Sequence, residues 1–417
     1  MNCEGARSSA TDLVGTENNE CRTTIGEHAK FTFQEVEQHG PAIDPGPQAG
    51  DPPIIKRAKR RPRVTVVQKA DGSMRDEFVY LMQEGEAPKF AYRRIPKLQK
   101  KTVAVKFGHV IFAMQLHHIQ NNCYQESDVT VAIKKLHTAP FALYLERGGR
   151  ENPYHAISRM QSIGDDEHVL SCIEALQDDK YLYTVMPFCE GKSLMDVIPW
   201  DSSPDTVVEY DVKEIYCSIL ENLHYLQAHN ICHHDLSPDN ILQLKGKLVF
   251  CDLAMSLIIP NGNGRRQLIQ PQGAYGKPPY WNPEVLISRT PFDAYQLDVW
   301  ASGCILYNLL TTMRLFLQPH PSDVLFRYFL LAQGLSNEPM NHRTVEILIE
   351  TFQGNNDEEQ QPLLQRAMAH LQLSKHAMTL LQGVLHINPR ERWTLANCME
   401  SEWLKRIVDE TSMEESR

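Results

Sequence analysis

Between His233 and Ala254 the chain reads HHDLSPDNILQLKGKLVFCDLA. Asp235 and Asn240 stand five residues apart, and Asp252 follows the apolar run LVFC, which reads as a strand. Three oxygen-bearing side chains therefore fall on loops at strand ends. Such a set can hold hard cations such as Mg²⁺ and accept a proton. Upstream, VAIK ends in Lys134, an ammonium at the end of a β-run with the reach for phosphate oxygens. Each signal alone is weak. A strand that ends in lysine is common, and an Asp-Asn pair is most often a turn.

Those four residues need a frame. Short β-like runs (FGHVIFAMQ, DVTVAIKKL, YLYTVMPF) dominate as far as residue 188. Helical periodicity dominates beyond it. In DVKEIYCSILENLHYL, Val212, Ile215, Ile219, Leu223 and Leu226 recur at spacings of three and four, one apolar helical face. DVWASGCILYNLLTT (298–312) is apolar all round and predicts a buried helix. A β-rich segment followed by a helix-rich one predicts two unlike parts, an α+β arrangement. The chain has 417 residues, 42% hydrophobic and 23% charged, enough to bury a sizeable core.

The order of the motifs adds what no single one gives. FGHV (107–110), VAIK (131–134), HHDLSPDN (233–240), DLA (252–254), NPE (282–284), DVWASG (298–303) and NPRERW (388–393) follow one another in a way that resembles the eukaryotic protein kinase superfamily. The resemblance covers about residues 95–408 and implies the two-lobed α+β kinase fold, with ATP and Mg²⁺ as cofactors and a protein as substrate. By the same resemblance Asp235 is the catalytic base, Asn240 and Asp252 are the Mg²⁺ ligands, and Lys134 lies on the nucleotide phosphates. Val103, Gly108, Val110 and Ala132 line the nucleotide, Met186 is the gatekeeper, and Pro187 to Cys189 form the hinge. Glu284 and Arg392 match a buried ion pair. Pro238-Asp239-Asn240 resembles the Ser/Thr pattern more than the tyrosine one.

Several positions depart from the family pattern. Val103 and Val105 replace two glycines of the phosphate loop, and β-branched residues resist φ > 0 and close backbone approach. VAVK (103–106) lies inside that loop and is not the catalytic lysine. The helix residue expected to be glutamate is Ala156. Glu151 would sit ~140° around the same helix, too far to substitute. Ala254 replaces a glycine. His234 replaces the arginine that reads an activation-loop phosphate, so activity without such a phosphate is expected, with Tyr275 and Ser256 as formal acceptors. Lysine and hydroxyl look exchanged between Ser237 and Lys277. Either Lys277 supplies the ammonium near the transferred phosphate with Ser237 as its partner, or it is a surface lysine in a mobile loop. The retained groups favour an active serine/threonine kinase; the altered supports leave a pseudokinase scaffold as the alternative.

The flanks read differently. Residues 1–63 look like a disordered acidic tail with a Pro/Gly linker (40–53) and a basic run, KRAKRRPR (56–63). That run reads either as a nuclear-localisation signal for an import receptor or a nucleic-acid patch, or as a solvated basic stretch that offsets the acidic tail. Residues 64–94 suggest an extension with a hairpin turning at Asp71-Gly72. KFAYRRIPKLQKK (89–101) reads as a solvated edge. Residues 353–361 read as a loop and 409–417 as a polar tail. His117-His118 and His233-His234 are adjacent pairs whose side chains diverge, so they do not chelate. The net charge of -10 argues against whole-surface nucleic-acid binding. No stretch approaches the ~20 apolar residues of a membrane span, and no apolar secretory segment opens the chain. Ten scattered cysteines without CxxC spacing fit reduced thiols in cytoplasm or nucleus.

Overall fold

The computed structural model describes residues 52–405, apart from 60–63, 86–87, 96, 99–101, 121–122, 165–166, 203–208, 261–267, 271–272, 275, 288–290, 321, 327–328 and 331–372. The chain divides into two units, Met1–Glu35 and Val36–Arg417, and every described residue belongs to the second. The acidic tail, Tyr275, the 353–361 stretch and the 409–417 tail lie outside the described residues.

The N-terminal part is one sheet of ten strands: β1 (Lys56–Arg57), β2 (Val64–Gln68), β3 (Met74–Phe78), β4 (Leu81–Met82), β5 (Phe90–Arg94), β6 (Val103–Val105), β7 (Gly108–Gln120), β8 (Cys123–His137), β9 (Glu174–Gln177) and β10 (Tyr181–Pro187). The spatial order is β1-β9-β10-β8-β7-β5-β4, with β6 also on β7 and the β2–β3 hairpin attached to β8. Helices α1 (Thr138–Glu146) and α2 (Pro153–Ile163) lie between β8 and β9 in the chain. Asn152 caps α2 by accepting the Tyr154 N–H, and Pro153 occupies the first helical position, where its missing donor costs nothing.

Strand alternation decides which residues face the site. Val131 and Ile133 are fully buried in a cluster with Ile111, Ala113, Leu176 and Val185. Successive side chains point to opposite faces, so Ala132 and Lys134 face the other way. The register sets Val110 opposite Lys134, and both Phe112 and Met186 opposite Ala132. Paired residues share a face. Val110, Phe112, Ala132, Lys134 and Met186 therefore form one surface.

Two sequence expectations need correction here. Residues 89–101 are not merely a solvated edge. Phe90–Arg94 is the sheet strand β5, with Ala91 and Tyr92 fully buried, because it pairs with β7 along its length. β5 and β6 continue one another on β7, where Arg94 pairs with Ala113 and Val103 with Val110. Nor is the basic run one free stretch for an import receptor. Lys56 and Arg57 pair in parallel with β9, Lys56 bonds Glu174 at 3.2 Å, Arg57 meets Glu84 at 2.9 Å, and Ala58 is buried. Arg60, Arg61 and Arg63 lie outside the described residues.

The β2–β3 hairpin turns at Asp71-Gly72, where Gly72 takes φ 79° and the Asp71 carboxylate accepts the Ser73 N–H at 2.9 Å. Lys69 and Arg93 meet Glu77 and Glu126 in one half-buried ionic cluster, which fastens the hairpin to β5 and β8.

The C-terminal part is helical. It contains α3 (Leu194–Val197), α4 (Glu209–Ala228), the short strands β11 (Ile231–Cys232), β12 (Ile241–Leu244), β13 (Lys247–Phe250), β14 (Leu257–Ile258) and β15 (Leu268–Ile269), then α5 (Glu284–Ile287), β16 (Phe292–Asp293) and α6 (Tyr295–Thr311). Among the described residues beyond it are α7 (Lys375–Val384) and α8 (Leu395–Met399). Along α4, Val212, Ile219, Leu223 and Leu226 are buried as the periodicity predicts. Every α6 residue from Gln296 to Thr311 is buried, around Trp300. This is the two-lobed α+β architecture that the resemblance implies.

Candidate functional site

The loop after β11 places Asp235. Asp298, one turn into α6, accepts the backbone N–H groups of His233 at 2.6 Å and His234 at 2.9 Å. A fixed carboxylate thus holds a loop that His234 enters with φ 64°. Burial pushes the Asp298 carboxyl up to about 6, against those two hydrogen bonds. His233 is fully buried. Its Nδ1 accepts the Asp235 N–H at 3.4 Å, so Nε2 carries the proton and donates to the Cys251 carbonyl at 3.1 Å. One neutral imidazole therefore joins the loop bearing Asp235 to the residue before Asp252. Burial holds that ring neutral, with its pKa lowered to about 4.

Asn240 donates through Nδ2 to the Asp235 carbonyl at 2.8 Å and to its Oδ2 at 3.2 Å. The Asp235 Oδ1 is buried without a hydrogen-bond partner. Gly276 lies against it so closely that a Cβ there would collide with that oxygen. Burial raises the Asp235 carboxyl to about 6; the Lys277 ammonium opposes the rise, and Asp252 and Glu151 add to it.

Asp252 follows β13 in the left-handed region, φ 61° and ψ 66°, a conformation that Asp tolerates better than most residues. Both of its oxygens accept from the Lys134 Nζ at 3.0 Å. Burial alone would raise the Asp252 carboxyl, but the Lys134 charge and hydrogen bond hold it below the usual range. Lys134 is correspondingly raised despite its burial. Ala156 is buried on α2, in the same core cluster as Leu253 and Ala254. Among the described residues, Asp252 is the carboxylate that pairs with Lys134.

Glu151 does not stand where a helical wheel puts it. It precedes the Asn152 cap and lies outside α2, so the ~140° argument does not apply to it. Its carboxylate accepts from the Lys106 Nζ at 2.8 Å. The next residue, Asn152, donates its N–H to the Ala254 carbonyl at 2.9 Å. Ala254 thus ties α2 to the Asp252 loop.

Lys277 donates to the Ser237 hydroxyl at 2.7 Å and meets Asp239 at 3.1 Å. Ser256 is buried, with its hydroxyl on the Leu253 carbonyl at 2.6 Å, which removes it as an accessible acceptor. His234 turns its Nδ1 to the Met255 carbonyl at 3.2 Å, and burial lowers its pKa to about 4. Met186 and Pro187 end β10, opposite Ala132 and Val131. Cys189 follows, its thiol pushed up to about 11 by burial. Gly108 approaches the Lys135 carbonyl so closely that no side chain fits. Val103 and Val105 extend the hairpin ladder up to a two-residue turn at Lys106-Phe107.

Sequence reasoning missed three participants. Phe112 shares the Val110 face and stacks edge-on to Phe188 at 5.2 Å; the alternation of β7 could have found it. Gly276 over Asp235 and Lys106 on Glu151 are long-range contacts with no local signal.

The donor set fits a magnesium-bound nucleotide. Asn240 uses its nitrogen on Asp235, which turns its amide oxygen away from that carboxylate. Asp252 presents a carboxylate already matched to positive charge. No group of three or more His, Cys, Asp or Glu side chains among the described residues could hold a metal. One or two protein oxygens completed by substrate phosphates is the pattern of Mg²⁺, which needs no all-protein cage.

The sequence profile described as the protein kinase domain matches residues 119–404. Cyclin-dependent kinase-like 4 of Mus musculus is 24% identical over 60% of this chain and 70% of its own length. Sperm motility kinase 2B of Mus musculus is 30% identical over 38% of this chain, and sperm motility kinase 3A is 31% identical over 36%. The chain spans only 31% and 28% of the length of these two sperm kinases. The matched span contains Lys134, Asp235, Asn240, Asp252 and Lys277, and begins after the Val103–Val110 hairpin.

Proposed function

This chain belongs to the protein kinase domain family, and on that premise we propose that it phosphorylates serine and threonine hydroxyls of protein substrates, using ATP and Mg²⁺. The observation that carries the reading is the convergence of Lys134, Asp252, Asn240 and Asp235 through direct hydrogen bonds and the His233 bridge. Mg-ATP, when bound, supplies the transferable γ-phosphoryl group and the divalent charge that neutralises it. Asn240 and Asp252 are the residues that would hold the metal, and Val103, Gly108, Val110, Ala132, Met186, Pro187 and Cys189 those that would line the nucleotide.

The chain's own residues then have separate tasks. Asp235 accepts the proton of the incoming hydroxyl, and its raised pKa keeps it a usable base near neutral pH. Asn240 orients that carboxylate through Oδ2. Lys134 exchanges Asp252 for phosphate oxygens. Lys277, anchored on Ser237, brings a second ammonium beside Asp235, where negative charge develops. The serine/threonine preference rests on Pro238-Asp239-Asn240. No helix of the described residues is long and apolar enough to cross a membrane, and cytoplasm or nucleus is the proposed location.

The test is transfer of labelled γ-phosphate from Mg-ATP to a basic protein, with wild type beside Asp235→Ala and Asp252→Asn. Transfer that vanishes in both variants supports the reading. No transfer by any of the three, on several substrates, points to a pseudokinase. One observation favours that second reading: with Ala156 in place of an acidic residue, Lys134 rests directly on the metal-binding carboxylate.

A further inference from the structure

Lys106 stands at the tip of the β6–β7 hairpin, where the register leaves only Lys106 and Phe107 between Val105 and Gly108. Phe107 takes φ 65°, which makes the turn tight. The Lys106 Nζ donates to Glu151 at 2.8 Å and lies 3.9 Å from the centre of the Tyr144 ring. Glu151 adjoins Asn152, whose N–H bonds Ala254, two residues beyond Asp252. Its charge is felt by both central groups: it favours protonated Lys134 and opposes ionised Asp235. A lysine bonded to Glu151 is therefore near the catalytic cluster.

The loop itself lacks the usual means of binding phosphate. Backbone N–H groups cradle phosphates when glycines let the chain approach closely. Here Val103 and Val105 commit the backbone to strand pairing up to the turn. A side-chain cation would replace that lost attraction. The pair that holds Lys106 is also weak in the relevant sense. Its side chains are 46% and 25% exposed, and a wet ion pair contributes little. A triphosphate offers several charged oxygens to the same ammonium, and such bonds are stronger.

We propose that Lys106 is a second phosphate-binding cation, paired with Glu151 and able to transfer from it to the terminal phosphates of a nucleoside triphosphate. The proposal rests on the ATP reading above. Glu151 is the counter-charge that must be left behind. If the pair were only a latch between the loop and the start of α2, breaking it from either side would loosen the loop alike. In the exchange, the two sides have opposite effects.

The experiment is calorimetric binding of ATP, ADP and AMP, with Mg²⁺, to the full chain. Lys106→Met should weaken ATP binding by about tenfold and leave AMP unchanged. Glu151→Gln should tighten ATP binding, because it frees Lys106 and removes a repelling carboxylate. The double variant should bind ATP more weakly than Glu151→Gln, because the ammonium is gone, and no more weakly than Lys106→Met, because the repelling carboxylate is gone too. Lys106→Arg should restore affinity, which guards against a folding defect in the methionine variant. The proposal is overturned if Lys106→Met binds ATP like wild type, if it weakens ATP and AMP equally, or if Glu151→Gln weakens ATP. A wild-type chain that binds no nucleotide overturns the ATP reading itself, and this proposal with it.

Discussion

The Lys277 ammonium donates to the Ser237 hydroxyl at 2.7 Å, across 40 residues of chain, and Ser237 is fully buried. Lysine and hydroxyl thus meet even though each stands where the family pattern places the other. The pair predicts coupled behaviour. Ser237→Lys and Lys277→Thr should each lower kcat about tenfold or more, since each disrupts a charge-assisted hydrogen bond. The double exchange should recover most of the loss. A double-variant cycle on kcat checks this, and additive single effects would refute the coupling.

Acid should switch the activity off near pH 6. Burial raises the Asp235 carboxyl to about that value, and the base proposed for it works only when ionised. Activity therefore falls as pH drops through about 6. Lys277→Met removes the charge that opposes the rise, so the acid limb moves to higher pH. The profile of kcat/KM against pH reads both effects.

The same group has a stability consequence of fixed sign. An unfolded Asp titrates near ~3.9, and the folded value is higher, so the folded chain binds the proton first. The contribution is present below about pH 4 and is lost as pH rises through about 6. Asp235→Asn avoids that loss. At pH 7.5 it should raise stability by roughly 1–3 kcal/mol, and near pH 4 the gain should disappear. Thermal melts at the two pH values check it.

Glu284 and Arg392 form a two-point pair at 2.7 and 3.1 Å, almost wholly buried, with the guanidinium 4.6 Å from the Trp300 ring centre. Breaking it from one side leaves a buried charge alone. Arg392→Met should cost about 3–5 kcal/mol, seen as a lower urea midpoint, while Glu402→Gln on an exposed helical pair at 3.0 Å should change little.

His234 cannot act as a constant cation. Its ring is buried, its Nδ1 faces the Met255 carbonyl, and its pKa is lowered to about 4. It stays neutral at pH 7 and gives an activation-loop phosphate no charge to bind. Phosphatase treatment should leave activity intact, and a loss would refute this account.

The sequence carried the local pattern and missed the long-range contacts. Alternation in β7 and β8 and the three-four spacing in α4 follow from one-sided burial, so they could be read directly. Lys134, Asp235, Asn240 and Asp252 were recognisable as a set because their order along the chain is distinctive. Glu151 was misplaced because a helical wheel assumes the helix has begun, and Asn152 caps it one residue later. Strand β5 was missed because its residues, FAYRR, mix aromatic and basic side chains, and only pairing with β7 buries Tyr92. Lys56 and Arg57 read as solvent-exposed charge because β1 exists only through its pairing with β9.

The ends of the large sheet have a further consequence. Its terminal strands, β1 and β4, are two residues long each, and the longer free side of the hairpin, β3, carries Arg75, Asp76 and Glu77 in succession. An unpaired backbone ledge invites a strand from another molecule only when it is long, flat and apolar. These rims are too brief or too charged to recruit one. Among the described strands, edge-to-edge pairing of two such sheets is therefore disfavoured.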